Sequence, residues 1–451
     1  MAVSLIAVAP AVNHLAAPTV ISRTEHRTVT AAITLVDQVA SDGTSTQIGV
    51  ADSDLYNLGQ TQLVQQLSEI KSLGVTDIRI GIPWVAIQPT STTYDWSTMD
   101  NIVKTASSMG LQITGDITEN PSWDGTVLAG APNPTAYANF AAAVAQRYAG
   151  TITSYEIWNE PNGLPFFAPV SPAAYTAVLK AAYTAIKAVN PSATVIAGAL
   201  GAAGNFPGVS MTASSFLAGM YAAGAAGYFD ALSYHPYGNG VPLSAGADVN
   251  NSALQQVTAL YALMTANGDA AKKIWATEFG AATTPGTGAS QPEQAQLLED
   301  FVSAWSRLSF AGPAFYYSAQ DLATGVLNDE GNYGLFTSAG VPKAAAAMLA
   351  TLIADIKKGI LPNYTAPLLS QAQLAFQQIA SMGLFITNAV LLLPNALISG
   401  MLNAAPAPIK QVFSVLSNAI VAVTAQAVSA VAPVATAAIG VALAAGPAIQ
   451  K

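Results

Sequence analysis

Hydrophobic and polar positions between residues 45 and 357 repeat one local arrangement. An amphipathic stretch comes first, a glycine or an Asn-Pro pair ends it, and a β-branched, apolar run follows. Glycine ends a helix readily because it adopts the left-handed conformation at low cost, and strands of a buried parallel sheet read as continuous apolar runs. The runs that predict strands are Gln47–Val50, Asp77–Ile82, Leu111–Ile117, Thr151–Trp158, Thr194–Ala197, Phe229–Tyr234, Lys273–Thr277 and Ala314–Tyr317.

Strands that each precede a helical stretch predict an α/β fold, and eight such units over roughly 300 residues predict a (β/α)8 TIM barrel. An open doubly wound sheet is the alternative. That sheet is disfavoured because no Gly-rich phosphate loop follows the first strand. We therefore predict a barrel domain over residues 45–357.

The chain changes composition after Lys358. Residues 359–451 are rich in Ala, Val, Leu and Ile, and their only charged residues are Lys410 and Lys451. Prolines and polar side chains dilute every window of about 20 residues, the length of a membrane-spanning helix. We predict that residues 358–451 form an apolar, mainly helical appendage that packs on the barrel or on another protein chain. Association with a membrane or envelope and one transmembrane helix are the alternatives.

Residues 1–44 resemble a leader or N-terminal arm. The apolar start contains the small-residue strings Ala-Val-Ala and Leu-Ala-Ala, of the kind found at signal cleavage sites, but no Lys or Arg precedes it. We expect a secreted or envelope-associated protein, with a cytoplasmic protein that carries a loose leader as the alternative.

Charge and composition exclude several classes of function. The net charge of −9 disfavours nucleic acid as a partner, because phosphate binding requires a basic surface. The chain has no cysteine, so disulfides and thiolate metal sites are excluded. The only histidines are His14, His26 and His235, which disfavours a multi-histidine metal site. We expect neither a metal nor a cofactor.

Two short strings carry the candidate chemistry. Trp158-Asn159-Glu160-Pro161 and Thr277-Glu278-Phe279-Gly280 each end an apolar run with a glutamate. In the predicted barrel Glu160 ends the fourth strand and Glu278 the seventh, and catalytic groups of such barrels lie at these strand ends. Cleavage of a glycosidic bond requires two carboxyl groups, one to protonate the leaving oxygen and one to attack or to activate water.

These strings, with their neighbours Tyr155–Asn162 and Ile274–Gly280, resemble the two motifs of clan A glycoside hydrolases. The resemblance covers roughly residues 45–345. Within the clan the chain is most similar to family 39, the β-xylosidase-like group that includes bacterial exopolysaccharide endoglycosidases. It implies a carbohydrate substrate and a retaining mechanism through a covalent glycosyl-enzyme, with Glu160 as the acid/base, Glu278 as the nucleophile and Asn159 on the sugar 2-hydroxyl.

The resemblance also implies supporting residues. Arg79 ends the second strand, where the clan has an arginine that hydrogen-bonds the nucleophile; an ion pair with Glu156 inside the barrel is the alternative. His235 and Tyr237 follow the sixth strand, where a tyrosine or histidine commonly orients the nucleophile. A histidine that is only structural is the alternative for His235.

Two strand ends depart from the clan pattern. The third lacks its usual histidine, and Asn120 stands as a possible substitute; the eighth lacks its usual tryptophan, and Tyr316 or Tyr317 stands in its place. Aromatic faces pack against sugar C–H groups, so further sugar-binding candidates, each with core packing as the alternative, are Trp84, Trp123 and Trp158. These departures leave the sugar and linkage open.

Two other functions compete with a hydrolase. A transglycosylase that rebuilds envelope glycan would use the same site. A non-catalytic surface protein could retain the barrel, but loss of either glutamate would be expected, and both are present.

Overall fold

A computed structural model describes residues 47–365 apart from 126–128, 207, 239 and 287. Among these residues eight parallel strands pair in chain order, and the eighth pairs with the first, which closes a barrel. Helices connect the strands on the outside. The predicted (β/α)8 barrel is confirmed, and the open-sheet alternative is wrong.

The bounds of the elements agree with the apolar runs to within a few residues. The strands are β1 (Ile48–Asp52), β2 (Asp77–Pro83), β3 (Gln112–Thr118), β4 (Ile152–Ile157), β5 (Thr194–Gly201), β6 (Ala231–His235), β7 (Ile274–Phe279) and β8 (Ala311–Tyr317). The α-helices are α1 (Gln60–Ser72), α2 (Trp84–Ile87), α3 (Ser97–Ser108), α4 (Pro134–Arg147), α5 (Pro172–Val189), α6 (Ala213–Ala222), α7 (Ala253–Ala266), α8 (Gln291–Trp305) and α9 (Ala344–Lys357).

Side-chain caps define where several outer helices begin. The Asn133 side chain accepts from two backbone N–H groups at the start of α4, and Ser171 caps α5 in the same way. Both helices begin with proline, whose fixed φ suits the first helical position and whose missing N–H costs nothing there. Ser290 and Glu293 form a reciprocal capping box at the start of α8.

Glycine turns before the strands follow the prediction in most units. Gly74, Gly110, Gly227 and Gly268 all have positive φ and lie between a helix and the next strand. Gly312 differs, because it lies inside β8 rather than before it. Its hydrogen is required there because a Cβ would approach the Trp275 ring to 2.6 Å.

Strand β5 is longer than its apolar run. The pairing register with β6 shifts between Ala197 and Leu200, where Gly198 and Ala199 have φ of 95° and 55°. Such a bulge bends a strand and redirects the residues beyond it. Here it carries the strand on to Gly201, which pairs with His235 of β6.

The two terminal segments, residues 1–46 and 366–451, lie outside the described residues. Within residues 47–365, with the gaps given above, no helix has the length and apolar character needed to cross a membrane. The predicted appendage lies outside the described residues from residue 366 onward, and so does the predicted leader. The domain boundaries at residues 45 and 357 stay predictions.

Candidate active site

Glu160 and Glu278 meet at the C-terminal end of the barrel. Glu278 lies in β7 and Glu160 three residues beyond β4, with a φ of 42°. The buried His235 Nδ1 lies 3.0 Å from Glu160 Oε1 and 3.6 Å from Glu278 Oε2. These two carboxylate oxygens are therefore at most 6.6 Å apart, the sum of those distances.

Two donors hold the Glu278 carboxylate. Arg79 Nη1 donates to Oε1 at 2.6 Å, and Tyr237 OH donates to Oε2 at 2.8 Å. Burial raises the pKa of Glu278, but His235, Arg79 and Tyr237 outweigh it, so the pKa lies below its usual value. Hydrogen bonds to the charged form and nearby positive charge both favour ionisation. Glu278 is thus held as an ionised, oriented carboxylate.

Arg79 connects the nucleophile position to the acid/base loop. It is fully buried in β2, donates through Nε to Glu156 Oε2 at 2.6 Å and through Nη2 to Asn159 Oδ1 at 3.0 Å. The contact with Asn159 leaves Nδ2 as the donating group of that amide. The two alternatives predicted for Arg79, a hydrogen bond to the nucleophile and an ion pair with Glu156, are both present in the same side chain.

A chain of hydrogen bonds runs from Glu160 through His235 and Thr277 to Glu156. Its Nε2 lies 3.0 Å from Thr277 Oγ1, and that hydroxyl donates to Glu156 Oε1 at 2.8 Å. Because Thr277 has one proton to donate, Nε2 must be the donor to it. The contact between Nδ1 and Glu160 then holds one proton, which either group carries. Burial lowers the pKa of His235, but the charges of Glu278 and Glu160 raise it by more, so the pKa lies above its usual value.

Asp116 of β3 is a third carboxyl group on the same guanidinium. Its Oδ2 lies 3.2 Å from Arg79 Nη2, while its buried Oδ1 has no hydrogen-bond partner among the described residues. One arginine therefore faces Glu156, Glu278 and Asp116. Burial raises the pKa of Asp116 to about 8; Arg79 opposes this, and Glu156 and Glu278 add to it. Asp116 therefore holds a proton at neutral pH.

The Asp116→Asn variant should gain stability over the wild type as the pH rises. The folded wild type keeps a proton that the unfolded chain releases near pH 4, so it loses stability between about pH 4 and pH 8. Asparagine is neutral throughout and keeps an acceptor for Arg79. Thermal unfolding across this range should give a difference in the free energy of unfolding that shifts in favour of the variant by on the order of a few kcal/mol. A pH-independent difference would contradict the proton on Asp116.

Glu330 and Tyr333, which follow β8, belong to the site although no motif of the sequence indicates them. Tyr317 OH donates to Glu330 Oε2 at 3.2 Å, and the Tyr333 ring makes edge contacts with both Tyr317 and Tyr237. Burial, followed by the charge of Glu278, raises the pKa of Glu330 to about 7. Glu330 lies in a short 3-10 helix (Asp329–Gly331) and Tyr333 in the irregular stretch after it, so no periodic pattern in the sequence marks either residue.

The aromatic candidates separate into core and site residues. Trp84, Trp158 and Tyr316 are each at most 1% exposed. Trp84 packs against Phe140, so its rings face protein on the inside of the fold. A fully buried ring has no face for a sugar, so these three are core residues. The Tyr333 ring contacts both Tyr317 and Tyr237, and Tyr237 donates to Glu278. Tyr317 therefore lies at the site.

Asn120 and Trp123 lie together after β3. Asn120 is buried and donates to Asp124 Oδ2 at 3.2 Å. Trp123 is half-buried, packs edge-on against Trp84 and donates through Nε1 to the Gln88 carbonyl at 2.7 Å. Trp123 is partly exposed, so sugar binding stays a prediction for it. The hydrogen bond from Asn120 to Asp124 holds the Asn120 amide within the loop.

A closed barrel that presents two glutamates at the C-terminal ends of its fourth and seventh strands has the architecture of clan A glycoside hydrolases. The model of the cellulase family, glycosyl hydrolase family 5, matches residues 38–307. The match spans more than half of the chain, which therefore belongs to this family. The predicted clan A membership is confirmed. No curated protein shows a significant match to the chain.

Solved structures support the fold. A family 39 glycoside hydrolase from Bacteroides cellulosilyticus WH2 superposes with a TM-score of 0.57 at 23% identity, covering 71% of this chain and 64% of that one. A monomeric β-xylosidase from Caulobacter crescentus CB15 gives 0.53 at 19% identity over 69% and 68% of the two chains. A family 5 subfamily 18 enzyme from Streptomyces cattleya, in complex with Manβ1-4GlcNAc, gives 0.54 at 15% identity over 76% and 92%. The likeness to family 39 expected from the sequence is thus present in the fold.

Proposed function

We propose that the protein hydrolyses β-glycosidic bonds in an oligo- or polysaccharide with retention of anomeric configuration. The observation that carries this proposal is the placement of Glu160 and Glu278 on either side of His235. Retaining pairs lie about 5–5.5 Å apart and inverting pairs about 6.5–9.5 Å apart. The upper limit of 6.6 Å on the distance between Glu160 Oε1 and Glu278 Oε2 is compatible with the separation of a retaining pair.

In the first step Glu278 attacks the anomeric carbon. Arg79 and Tyr237 keep this carboxylate ionised and fix both of its oxygens, so it meets the substrate as an oriented nucleophile. Glu160 protonates the leaving oxygen as the glycosidic bond breaks, with the proton held between Glu160 and His235 Nδ1. Asn159 Nδ2 donates to the sugar 2-hydroxyl, an interaction that strengthens at the oxocarbenium-like transition state.

In the second step water releases the sugar. Formation of the glycosyl ester removes the negative charge of Glu278, which lowers the cost of ionising Glu160. Glu160 then takes a proton from water, the water oxygen bonds to the anomeric carbon, and Glu278 leaves as a carboxylate. Two displacements on the same carbon restore the original configuration.

A panel of aryl β-glycosides and bacterial polysaccharides tests this proposal. β-Xylosides and β-mannosides belong in the panel because similar folds include a β-xylosidase and an enzyme crystallised with Manβ1-4GlcNAc. We expect turnover of at least one substrate, with the first product in the β configuration by NMR. A first-formed α product would contradict retention, and sugars transferred to added acceptors would favour the transglycosylase alternative.

We also propose that the apolar segment after residue 365 attaches the enzyme to the cell envelope, a membrane or another protein, and that the protein is exported. Its composition supports this, since an apolar segment whose only charged residues are Lys410 and Lys451 exposes a large apolar surface unless a partner or a membrane covers it. Deletion after Thr365 keeps α9 and every described element. We expect the truncated enzyme to keep its kcat/KM and to lose its association with the envelope fraction. Association unchanged by the deletion would contradict the proposal.

A further inference from the structure

Glu160 lies against a backbone surface that has no side chain. A Cβ built on Gly201, the last residue of β5, would lie 2.9 Å from Glu160 Cδ and 3.0 Å from each carboxylate oxygen. Real Cβ atoms essentially never approach another atom to less than 3.0 Å, and even 3.0 Å is tighter than nine in ten of their contacts. The carboxyl group therefore occupies the space that any side chain at position 201 would need. No positive φ requires glycine here, so the Glu160 carboxyl is the structural reason for it.

Neighbouring strands hold this carboxyl group from two directions. Gly201 pairs with His235 across the β5–β6 ladder, and His235 Nδ1 contacts Glu160 Oε1 at 3.0 Å. The bare backbone of one strand and the imidazole of the next thus define where the carboxyl lies. The Glu160 N–H donates to the Ala199 carbonyl at 2.9 Å, which ties the loop to the bulge in β5.

Asn162 fixes the Gly201 backbone with a two-way hydrogen bond. The Gly201 N–H donates to Asn162 Oδ1 at 2.8 Å, and Asn162 Nδ2 donates to the Gly201 carbonyl at 2.9 Å. The same Nδ2 donates to the Met211 carbonyl at 2.9 Å, and the side chain is buried. All hydrogen-bonding groups of this amide face backbone atoms. Asn162 follows Glu160 by two residues, so the clamp joins the glutamate loop directly to the glycine it packs on.

We propose that Gly201 and Asn162 are positioning residues for the acid/base: Asn162 clamps the β5 backbone, and the missing side chain of Gly201 sets the place of the Glu160 carboxyl. This inference rests on the proposed role of Glu160. Their contribution is to proton transfer alone, because Glu278 is held by other residues, Arg79 and Tyr237.

Gly201→Ala separates this role from a structural one. The atoms that the new methyl would meet are the far end of the Glu160 side chain, which can turn away without moving backbone. We expect an unfolding temperature close to that of the wild type. Proton transfer by a positioned acid contributes about 10²–10⁴-fold, so kcat/KM for a glycoside with a poor leaving group should fall by about 10²-fold.

The dependence of kcat/KM and kcat on the leaving group measures the effect of Gly201→Ala. A dinitrophenyl glycoside needs no proton on its leaving group, so its kcat/KM should stay close to the wild-type value in Gly201→Ala. Its kcat should fall, because release of the sugar needs Glu160 as a base, and azide should restore it by attacking the glycosyl-enzyme without a base. Asn162→Ala should show the same leaving-group dependence together with a lower unfolding temperature.

Gly163→Ala is the matched control. Gly163 lies in the same loop, and a Cβ there would come no closer than 3.7 Å to its neighbours. We expect wild-type kinetics. Equal losses with both leaving groups in Gly201→Ala, unchanged kinetics in that variant, or failure of azide to restore kcat would each overturn the inference. Glu160→Gln in the same assays keeps the two proposals apart: if it lacks leaving-group dependence, the acid/base assignment fails, whereas dependence in Glu160→Gln alone refutes only the role of Gly201 and Asn162.

Discussion

Glu278→Gln should abolish turnover of every substrate, with a loss of kcat/KM of about 10⁴-fold or more, as is typical when a nucleophile is removed. The amide has the same shape as the carboxylate and still offers an oxygen to Arg79 or Tyr237, but it cannot form the glycosyl ester. The loss should be equal for good and poor leaving groups, because the first step itself fails. Steady-state kinetics on the aryl glycoside identified by the substrate panel measures it.

Glu69→Gln is the control for this substitution. Glu69 lies in α1 on the outside of the barrel, where Gln65 Nε2 donates to it at 2.9 Å. The control should keep the wild-type kcat/KM and unfolding temperature. Activity of Glu278→Gln within tenfold of the wild type, in a folded protein, would remove Glu278 from the nucleophile role.

Glu160→Gln should lose activity in proportion to how much its substrate needs a proton. A poor leaving group should show a loss of about 10²–10⁴-fold in kcat/KM, the contribution of a general acid. A dinitrophenyl leaving group should react nearly as in the wild type, but the glycosyl-enzyme should then accumulate because no base activates water. Rapid mixing should show a burst of dinitrophenolate followed by a slow steady state.

Azide should accelerate that steady state and yield a β-glycosyl azide, since the anion attacks without a base and the glycosyl-enzyme has the α configuration. The wild type should give hydrolysis products under the same conditions. An α-azide, or a loss of the same size for all leaving groups, would contradict the acid/base role of Glu160.

The strand pattern was readable from the sequence because buried parallel strands are continuous apolar runs and the chain repeats them eight times. The ends of β4 and β7 could be predicted because each glutamate lies within three residues of the end of such a run. His235 ends β6 and Tyr237 follows it, whereas Arg79 lies near the start of β2 rather than at its predicted end, and all three contact the glutamates in the structure. The position of such residues along the chain is enough to predict that they meet, since the barrel brings its strand ends to one face.

Residues whose role depends on tertiary contact were not readable. The raised pKa of Asp116 arises first from burial and then from the charges of Glu156 and Glu278, which share the Arg79 guanidinium with it, and none of these is visible in the sequence. Gly201 lies beyond the predicted end of β5, because a bulge extends that strand. Among the tryptophans, periodicity does not distinguish a ring on the core side, such as Trp84, from one at the rim, such as Trp123.

A 2-deoxy-2-fluoro glycoside with a dinitrophenyl leaving group should trap the covalent bond between Glu278 and the sugar. The fluorine slows both steps, and the good leaving group lets the first step outrun the second, so the intermediate accumulates. Mass spectrometry of the intact protein and its peptides should show one fluoroglycosyl group per chain, attached to the peptide that contains Glu278. A label on another residue, or inactivation without any adduct, would contradict the mechanism.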